Sequence, residues 1–309
     1  MKQSELYDCL ATLMGAPAET VPREEEGGLV TRHSMREEKA LGRARVLVAE
    51  DNPVNQKVAA RMLESLGYRV EVVGDGLEAL EALSRGRYGA VLMDVQMPRL
   101  DGNGATAEIR RRESEAGGPA TPIVAMTANA LAGDREKALE AGMDDYVSKP
   151  VSREDLAAVL RRWVQPGTPE VVQQDGTTGS VPVVGAAGPA LDGAPEGEPV
   201  DRRVLEDLEE LGGTELVEEL IETFLDDAPS RLEALRGAVQ GGEAPAVRRL
   251  AHALGGSCGS MGTVEMTRLS GTLEKAGASG DLSLARELLE RLEAEFGRVR
   301  TALETERTA

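Results

Sequence analysis

The chain has 309 residues, a length typical of two domains, and its aromatic content of 2% predicts cores built from aliphatic side chains and alanine. The formal net charge of −19 argues against nucleic acid as a direct partner. No apolar stretch approaches the roughly 18 residues of a membrane span, and no secretory signal opens the chain, so we expect a cytoplasmic protein without membrane insertion.

The first segment, residues 1–43, has an amphipathic pattern only at its start. An apolar face runs along residues 1–15 and consists of Leu6, Cys9, Leu10 and Leu13. We interpret this stretch as the last helix of another domain. His33 is followed by no long helix pair, and we interpret it as a linker residue. The prediction for residues 1–43 is therefore a helix remnant and a linker.

Short apolar runs alternate with amphipathic stretches across residues 44–164. The apolar runs are predicted strands at residues 45–49, 69–73, 90–93, 122–126 and around 146–147. The amphipathic stretches are predicted helices at residues 53–66, 76–83, 103–115, 130–141 and 153–163. This alternation predicts an α/β domain with a doubly wound, five-stranded parallel sheet.

The remaining chain divides into a linker and an all-α part. Residues 165–200 are about one-third Gly and Pro without periodicity, which predicts a flexible linker spanning about 30–36 Å on average. Residues 201–309 show only helical patterns, predicted at residues 201–211, 214–239, 244–257, 264–276 and 282–303. Short loops between amphipathic helices predict antiparallel neighbours, hence a four-helix bundle.

Five polar residues follow directly after strands of the predicted sheet. Glu50 and Asp51 follow the first strand, Asp94 the third, Thr127 the fourth and Lys149 the fifth. Ligands bind at the carboxyl ends of parallel strands, so these side chains are expected at one edge. Taken singly, each has an ordinary interpretation as a surface turn, a loop start, a helix cap or a solvated lysine. Together they favour a phosphoryl-accepting site.

Three carboxylates at one edge repel one another unless a cation neutralises them. Oxygen ligands from few protein groups suit Mg²⁺, which we expect as the cofactor. Asp94 would attack phosphorus in line, while Thr127 and Lys149 would offset charge on the other phosphoryl oxygens.

A second candidate nucleophile, His252, lies in a predicted helix. A lone histidine in an apolar helix is more often a core residue. Here, however, the buried stripe is predicted to be Val247, Leu250, Ala251 and Leu254, and His252 lies off it with Arg248, Arg249, Gly255 and Gly256. Helix interiors disfavour glycine by about 0.5–1 kcal/mol, so the two glycines suggest close approach of another group, such as a phosphoaspartate.

Residues 44–164 resemble the receiver domain of two-component signalling, which has a flavodoxin-like fold. The matching strings are Val46-Leu47-Val48-Ala49-Glu50-Asp51-Asn52, Leu92-Met93-Asp94-Val95-Gln96-Met97-Pro98, Asp101-Gly102, Met126-Thr127-Ala128 and Ser148-Lys149-Pro150. The resemblance implies Asp94 as phosphoacceptor and Glu50, Asp51, Asp94 and the Gln96 carbonyl as metal ligands. It also implies Thr127 and Tyr146 as switch residues and a cis peptide before Pro150.

The start Glu50-Asp51-Asn52-x-x-Asn55 is similar to receivers attached to hybrid histidine kinases. Residues 201–305 resemble a histidine phosphotransfer (HPt) domain, whose motif runs His-x-Leu-Lys-Gly-Ser. Gly255 stands where that family usually has lysine. We hypothesise that Arg248 or Arg249, one turn earlier, replaces the missing cation near His252.

These features predict a phosphorelay protein in which Asp94 accepts a phosphoryl group from a histidine kinase and exchanges it with His252. A downstream receiver domain is the expected acceptor from His252. The chain has no kinase ATP-binding motif, so we expect a phosphotransfer protein that is part of a hybrid histidine kinase or related to one. The alternative is a phosphorylation-gated interaction module in which the bundle only docks a partner or drains phosphate.

Overall fold

A computed structural model describes residues 44–127, 132–164 and 198–307. The predictions for residues 1–43, including His33, and for most of the linker lie outside the described residues. None of the helices in the described residues combines the length and the apolar composition of a membrane-spanning segment.

The first described region is a parallel sheet with helices on both faces. Its strands are β1 (Arg45–Ala49), β2 (Arg69–Val73), β3 (Ala90–Asp94), β4 (Ile123–Thr127) and β5 (Asp145–Ser148), in the spatial order β2-β1-β3-β4-β5. Its helices are α1 (Pro53–Ser65), α2 (Gly76–Arg85), α3 (Gly102–Ala116), α4 (Ala132–Glu140) and α5 (Arg153–Trp163). The predicted doubly wound sheet is therefore confirmed.

The strands form because their continuous apolar runs are buried on both faces. Leu47, Met93 and Ala125 belong to the core on one face, whereas Leu92 and Met126 belong to the core on the other. Two strands extend one residue beyond the predicted limit, because Asp94 pairs with Met126 and Thr127 pairs with Ser148. Asp94 and Thr127 thus lie on the last rungs of the sheet, whereas Glu50, Asp51 and Lys149 follow directly after their strands.

Two local features fix the backbone around these strand ends. Asn52 caps α1, since its side-chain oxygen accepts hydrogen bonds from the Val54 and Asn55 N–H groups at 3.0 and 3.3 Å. Gly102, which opens α3, packs against the backbone of Asp94 so closely that a Cβ there would collide with the Asp94 carbonyl oxygen. The glycine of the Asp101-Gly102 pair therefore allows α3 to begin directly behind β3.

The second region is a bundle of long helices. They are α6 (Arg202–Gly241), α7 (Ala244–Ser260), α8 (Val264–Ser279) and α9 (Leu282–Glu306). The break predicted near residues 212–213 is present inside α6, where Gly213 has a φ of 76°. Val200, predicted as the last linker residue, is instead buried against the bundle.

Helix α7 continues three residues past its predicted end at residue 257, although Gly255, Gly256 and Gly259 lie within it. Its neighbours explain this, because Ala251, Leu254 and Cys258 are fully buried in the bundle core. Tertiary packing therefore outweighs the low helix propensity of glycine here.

The sheet region and the bundle are in contact through α1. Val54 and Val58 belong to the same buried apolar cluster as Leu220, Ile221 and Phe224 of α6. This contact brings the carboxyl ends of the strands next to α7.

Candidate functional site

The three predicted carboxylates lie together at the carboxyl edge of the sheet. One oxygen from each of Glu50, Asp51 and Asp94 lies within 4.8 Å of the other two. Neighbouring strands explain this, since β1 pairs in parallel with β3 and both end at this edge. Glu50 and Asp94 are almost completely buried.

Lys149 binds two of these carboxylates. Its Nζ atom lies 2.6 Å from Glu50 Oε2 and 2.7 Å from Asp94 Oδ2. Burial alone would lower the pKa of this ammonium, but the charges of Asp94 and Glu50 outweigh burial and raise it. Lys149 is therefore a fixed positive charge at the site, and its peptide bond to Pro150 is cis, as the resemblance implies.

The cluster still holds more negative than positive charge. Burial raises the pKa of Glu50 to about 7, with Asp94 adding to the rise and Lys149 opposing it. Burial and the charge of Asp94 also raise the pKa of Asp51. Because a cation would relieve this repulsion and the donors are all oxygens, the residues present fit a hard divalent ion.

The other predicted residues of this edge surround the cluster. Gln96 donates its backbone N–H to Asp94 Oδ1 at 3.1 Å. Thr127 is buried at the end of β4, and Tyr146 is half-buried and packs against the core that contains Met93. Thr127 and Gln96 line the same cavity as Asp94, whereas Tyr146 lies outside it.

That cavity, of about 480 Å³, lies between the sheet region and the bundle. Asp94, Thr127 and Lys149 line it from one side, and His252 and Gly256 line it from the other. The structure therefore places both predicted phosphoacceptors on the walls of one cavity.

His252 is hydrogen-bonded by Glu274, a residue that no sequence motif indicated. Its Nδ1 atom lies 3.2 Å from Glu274 Oε2 of α8, and its side chain is only 8% exposed. Burial raises the pKa of the Glu274 carboxyl, but the hydrogen bond and charge of His252 and the charge of Arg248 outweigh burial and lower it.

An ionised Glu274 only accepts hydrogen bonds, so the Nδ1 atom of His252 must carry the proton. In the neutral imidazole the free lone pair is then on Nε2, the ring nitrogen that can act as a nucleophile. Gln96 also hydrogen-bonds Glu274, which links the loop after Asp94 to the partner of His252.

Two asparagines of the sheet region bind α7 directly. The Asn52 side-chain amide donates to the Ala253 carbonyl at 2.9 Å and to Ser257 Oγ. Asn55 donates to Glu50 Oε1 at 2.9 Å and accepts from Ser260 Oγ at 2.8 Å. The Asn52-x-x-Asn55 pattern thus connects the acidic cluster to the helix of His252.

The two glycines beside His252 have different surroundings. A Cβ at position 256 would lie 2.8 Å from Asn55 Nδ2, so Gly256 allows the sheet region to approach α7. A Cβ at position 255 would lie 3.3 Å from the Ser270 Cβ, so Gly255 allows close packing of α7 on α8. The expected close approach therefore applies to Gly256.

The two arginines proposed near His252 also differ. Arg248 lines the cavity, and its Nε atom lies 4.0 Å from Glu274 Oε1. Arg249 is exposed and is not among the residues that line the cavity.

Comparison with known proteins matches two parts of the chain to two protein families. A family model described as the response regulator receiver domain matches residues 46–161, and one described as the Hpt domain matches residues 219–302. The sensor histidine kinase GacS of Pseudomonas protegens is 44% identical over 119 residues, which are 38% of this chain and 13% of that protein. The histidine-protein kinase BarA of Escherichia coli K12 is 31% identical over 258 residues, which are 80% of this chain and 26% of that protein.

Among solved structures, the receiver domain of the sensor histidine kinase PA1611 from Pseudomonas aeruginosa, which has a magnesium ion in its active-site cleft, is 52% identical. The match covers 39% of this chain and 97% of that one, with a TM-score of 0.36. This chain spans about a quarter or less of the length of the two kinases.

The receiver match coincides with the five-stranded parallel sheet and its acidic edge, and the Hpt match lies within the helical bundle that carries His252. The chain therefore carries a response regulator receiver domain followed by an Hpt domain, the domains of two-component signalling, and it resembles the C-terminal part of a hybrid sensor histidine kinase.

Proposed function

We propose that this chain is a cytoplasmic phosphorelay protein in which Asp94 accepts a phosphoryl group from a histidine kinase and exchanges it with His252. A downstream receiver domain then takes the group from His252. The observation that carries this proposal is the shared cavity, which Asp94 lines from the receiver and His252 from the Hpt bundle.

Asp94 is the carboxylate best placed to attack phosphorus. It lies on the last rung of β3, and its two oxygens contact Lys149 Nζ and the Gln96 N–H. Lys149 and the Thr127 hydroxyl line the space that the phosphoryl oxygens would occupy, so they can offset the charge of these oxygens. Glu50, Asp51, Asp94 and the Gln96 carbonyl would hold Mg²⁺, which supplies charge neutralisation at the phosphoryl oxygens.

Transfer to the bundle forms one bond and breaks one. The Nε2 lone pair of His252 attacks phosphorus, and the bond from phosphorus to the Asp94 oxygen breaks with its electron pair returning to the carboxylate. Glu274 keeps its hydrogen bond to Nδ1 and offsets the positive charge that develops on the ring. The reverse sequence returns the group to Asp94, so the same geometry serves both directions.

The contacts around the cavity support transfer within one chain. Asn52 and Asn55 hydrogen-bond α7 on both sides of Gly256. The Val54 side chain is also buried in the apolar cluster of the bundle. The two nucleophiles are thus brought together without diffusion of a second molecule.

The test is to phosphorylate the whole chain with a labelled histidine kinase or with labelled acetyl phosphate and to follow the label with time. Acyl phosphates are lost in alkali, whereas phosphohistidine is lost in acid, so the two products are distinguishable. We expect label first on Asp94 and then on His252. Asp94→Ala should abolish both products, and His252→Ala should abolish only the second. Label that stays on Asp94 in the wild type would refute the relay and favour the interaction module.

A further inference from the structure

We propose that Lys275 of α8 supplies the positive charge that the transferred phosphoryl group needs on the Hpt side, in place of a side chain at position 255. This inference rests on the proposed exchange between Asp94 and His252, and it adds a catalytic residue to that exchange.

Position 255 itself provides no charge. It is a glycine, and its backbone lies so close to α8 that an added Cβ would be 3.3 Å from the Ser270 Cβ. The surface beside His252 is therefore occupied by the neighbouring helix. A cation for the phosphoryl group has to come from another element that lines the cavity.

Helix α8 presents one stripe of residues to this cavity. Its members recur at three- and four-residue spacing and are Thr267, Gly271, Glu274, Lys275 and Ala278. Side chains of a helix lean over the preceding turn, and Gly271 occupies that turn for Lys275. Nothing lies within 4 Å of a Cβ built at Gly271, so the Lys275 stem has open space there.

Three basic residues line the cavity, and two of them already lie close to carboxylates. Lys149 contacts Glu50 and Asp94 at 2.6 and 2.7 Å. Arg248 lies 4.0 Å from Glu274. Lys275 forms no ion pair with any residue of the described ranges, and it is the only lysine in residues 201–309.

Lysine suits the chemistry of this position. Charge in phosphoryl transfer is spread over the equatorial oxygens, and a mobile ammonium is a compact point charge that can follow these oxygens from one acceptor to the other. Lys149 offsets the charge of the phosphoryl group while that group is bound to Asp94. Lys275 would bind it as the bond to His252 Nε2 forms. The ammonium keeps its proton throughout, so the bond balance of the transfer is unchanged.

The experiment measures the rate of label transfer from Asp94 to His252 in the whole chain, with Mg²⁺ present. Lys275→Met, which keeps the length of the side chain without its charge, should slow transfer about 10-fold, whereas Lys275→Arg should retain most of the rate. Arg268→Ala is the matched control, because it removes one exposed positive charge from the same helix outside the cavity and should leave the rate unchanged.

The outcomes separate this inference from the proposed function. Wild-type transfer with an unchanged rate in Lys275→Met would overturn the role of Lys275 alone. Equally slow transfer in Lys275→Met and Lys275→Arg would assign Lys275 a structural role and also overturn the inference. Absence of label on His252 in the wild type would overturn the exchange itself, and the role of Lys275 with it. Circular dichroism of each variant establishes that the bundle is folded.

Discussion

Gly256→Ala is predicted to weaken docking of the receiver and slow phosphoryl transfer, although it favours the helix itself. Alanine in place of glycine inside a helix stabilises that helix by about 0.5–1 kcal/mol, which in an undocked helix would raise the unfolding temperature by a few degrees. The docked receiver, however, leaves no room for the added methyl group. Its Cβ would lie 2.8 Å from Asn55 Nδ2.

The size of the docking effect follows from the bonds of Asn55. Its side chain donates to Glu50 Oε1 at 2.9 Å and accepts from Ser260 Oγ at 2.8 Å, so it cannot move aside without losing one of them. One lost hydrogen bond and residual crowding cost about 1–2 kcal/mol together. The docking equilibrium constant should therefore fall about 5- to 30-fold.

Two measurements on the same sample test this prediction: the transfer rate from Asp94 to His252, and thermal unfolding followed by circular dichroism. Gly297→Ala is the control, because nothing lies within 4 Å of a Cβ built at Gly297, which is in α9 and outside the cavity. Gly297→Ala should be more stable than the wild type, whereas in Gly256→Ala the loss of docking should cancel the gain in helix stability, and only Gly256→Ala should transfer slowly. Equal transfer rates in the two variants would refute the docking arrangement.

Three further predictions concern charges at the interface and the site. Lys57 Nζ lies 2.5 Å from Glu219 Oε1 across the interface, and both side chains are partly exposed, so Lys57→Glu or Glu219→Lys should slow transfer only about 2- to 5-fold. The double variant Lys57→Glu/Glu219→Lys should recover the wild-type rate, and high salt should remove the effect of the single variants. A rate that stays low in the double variant and at high salt would contradict this role of the ion pair. Glu274→Gln removes the ionised acceptor of His252 Nδ1 and should slow transfer about 10-fold without changing the labelling of Asp94, which the same label chase would measure. The pKa of Glu50 is raised from 4.5 to about 7, so between these pH values the folded receiver binds more protons than the unfolded chain. In metal-free buffer, the free energy of unfolding measured with urea should therefore fall as the pH rises through this window. Glu50→Gln or added Mg²⁺ should make this fall smaller. A free energy of unfolding that rises with pH in this window would contradict the prediction.

The sheet and its acidic edge could be predicted because they depend on short segments. Each strand is a continuous apolar run, and the chemistry-bearing residue follows that run directly, as Asp94 follows Met93. Parallel pairing of β1 and β3 then brings Asp94 to Glu50 without any further information. Helix ends depend on tertiary contacts as well: α7 extends to Ser260 because burial of Cys258 outweighs local glycine content.

The Hpt side of the site depends on contacts between distant segments, which no local pattern indicates. Glu274 lies 22 residues from His252 and meets it only because α8 packs closely on α7 at Gly255. Asn52 and Ala253 are 201 residues apart and are joined by docking. The glycine pair did indicate a close approach, but the sequence could not tell that Gly256 faces the receiver and Gly255 faces α8.

The central claim is that Asp94 and His252 of one docked chain exchange a phosphoryl group, and its most direct test is the concentration dependence of transfer. The wild-type chain, labelled on Asp94, should transfer to His252 with a first-order rate constant that does not change on dilution. A mixture of labelled His252→Ala chains with Asp94→Ala chains should transfer more slowly, at a rate that rises with concentration. A wild-type rate that falls in proportion to dilution, or no label on His252, would contradict the account.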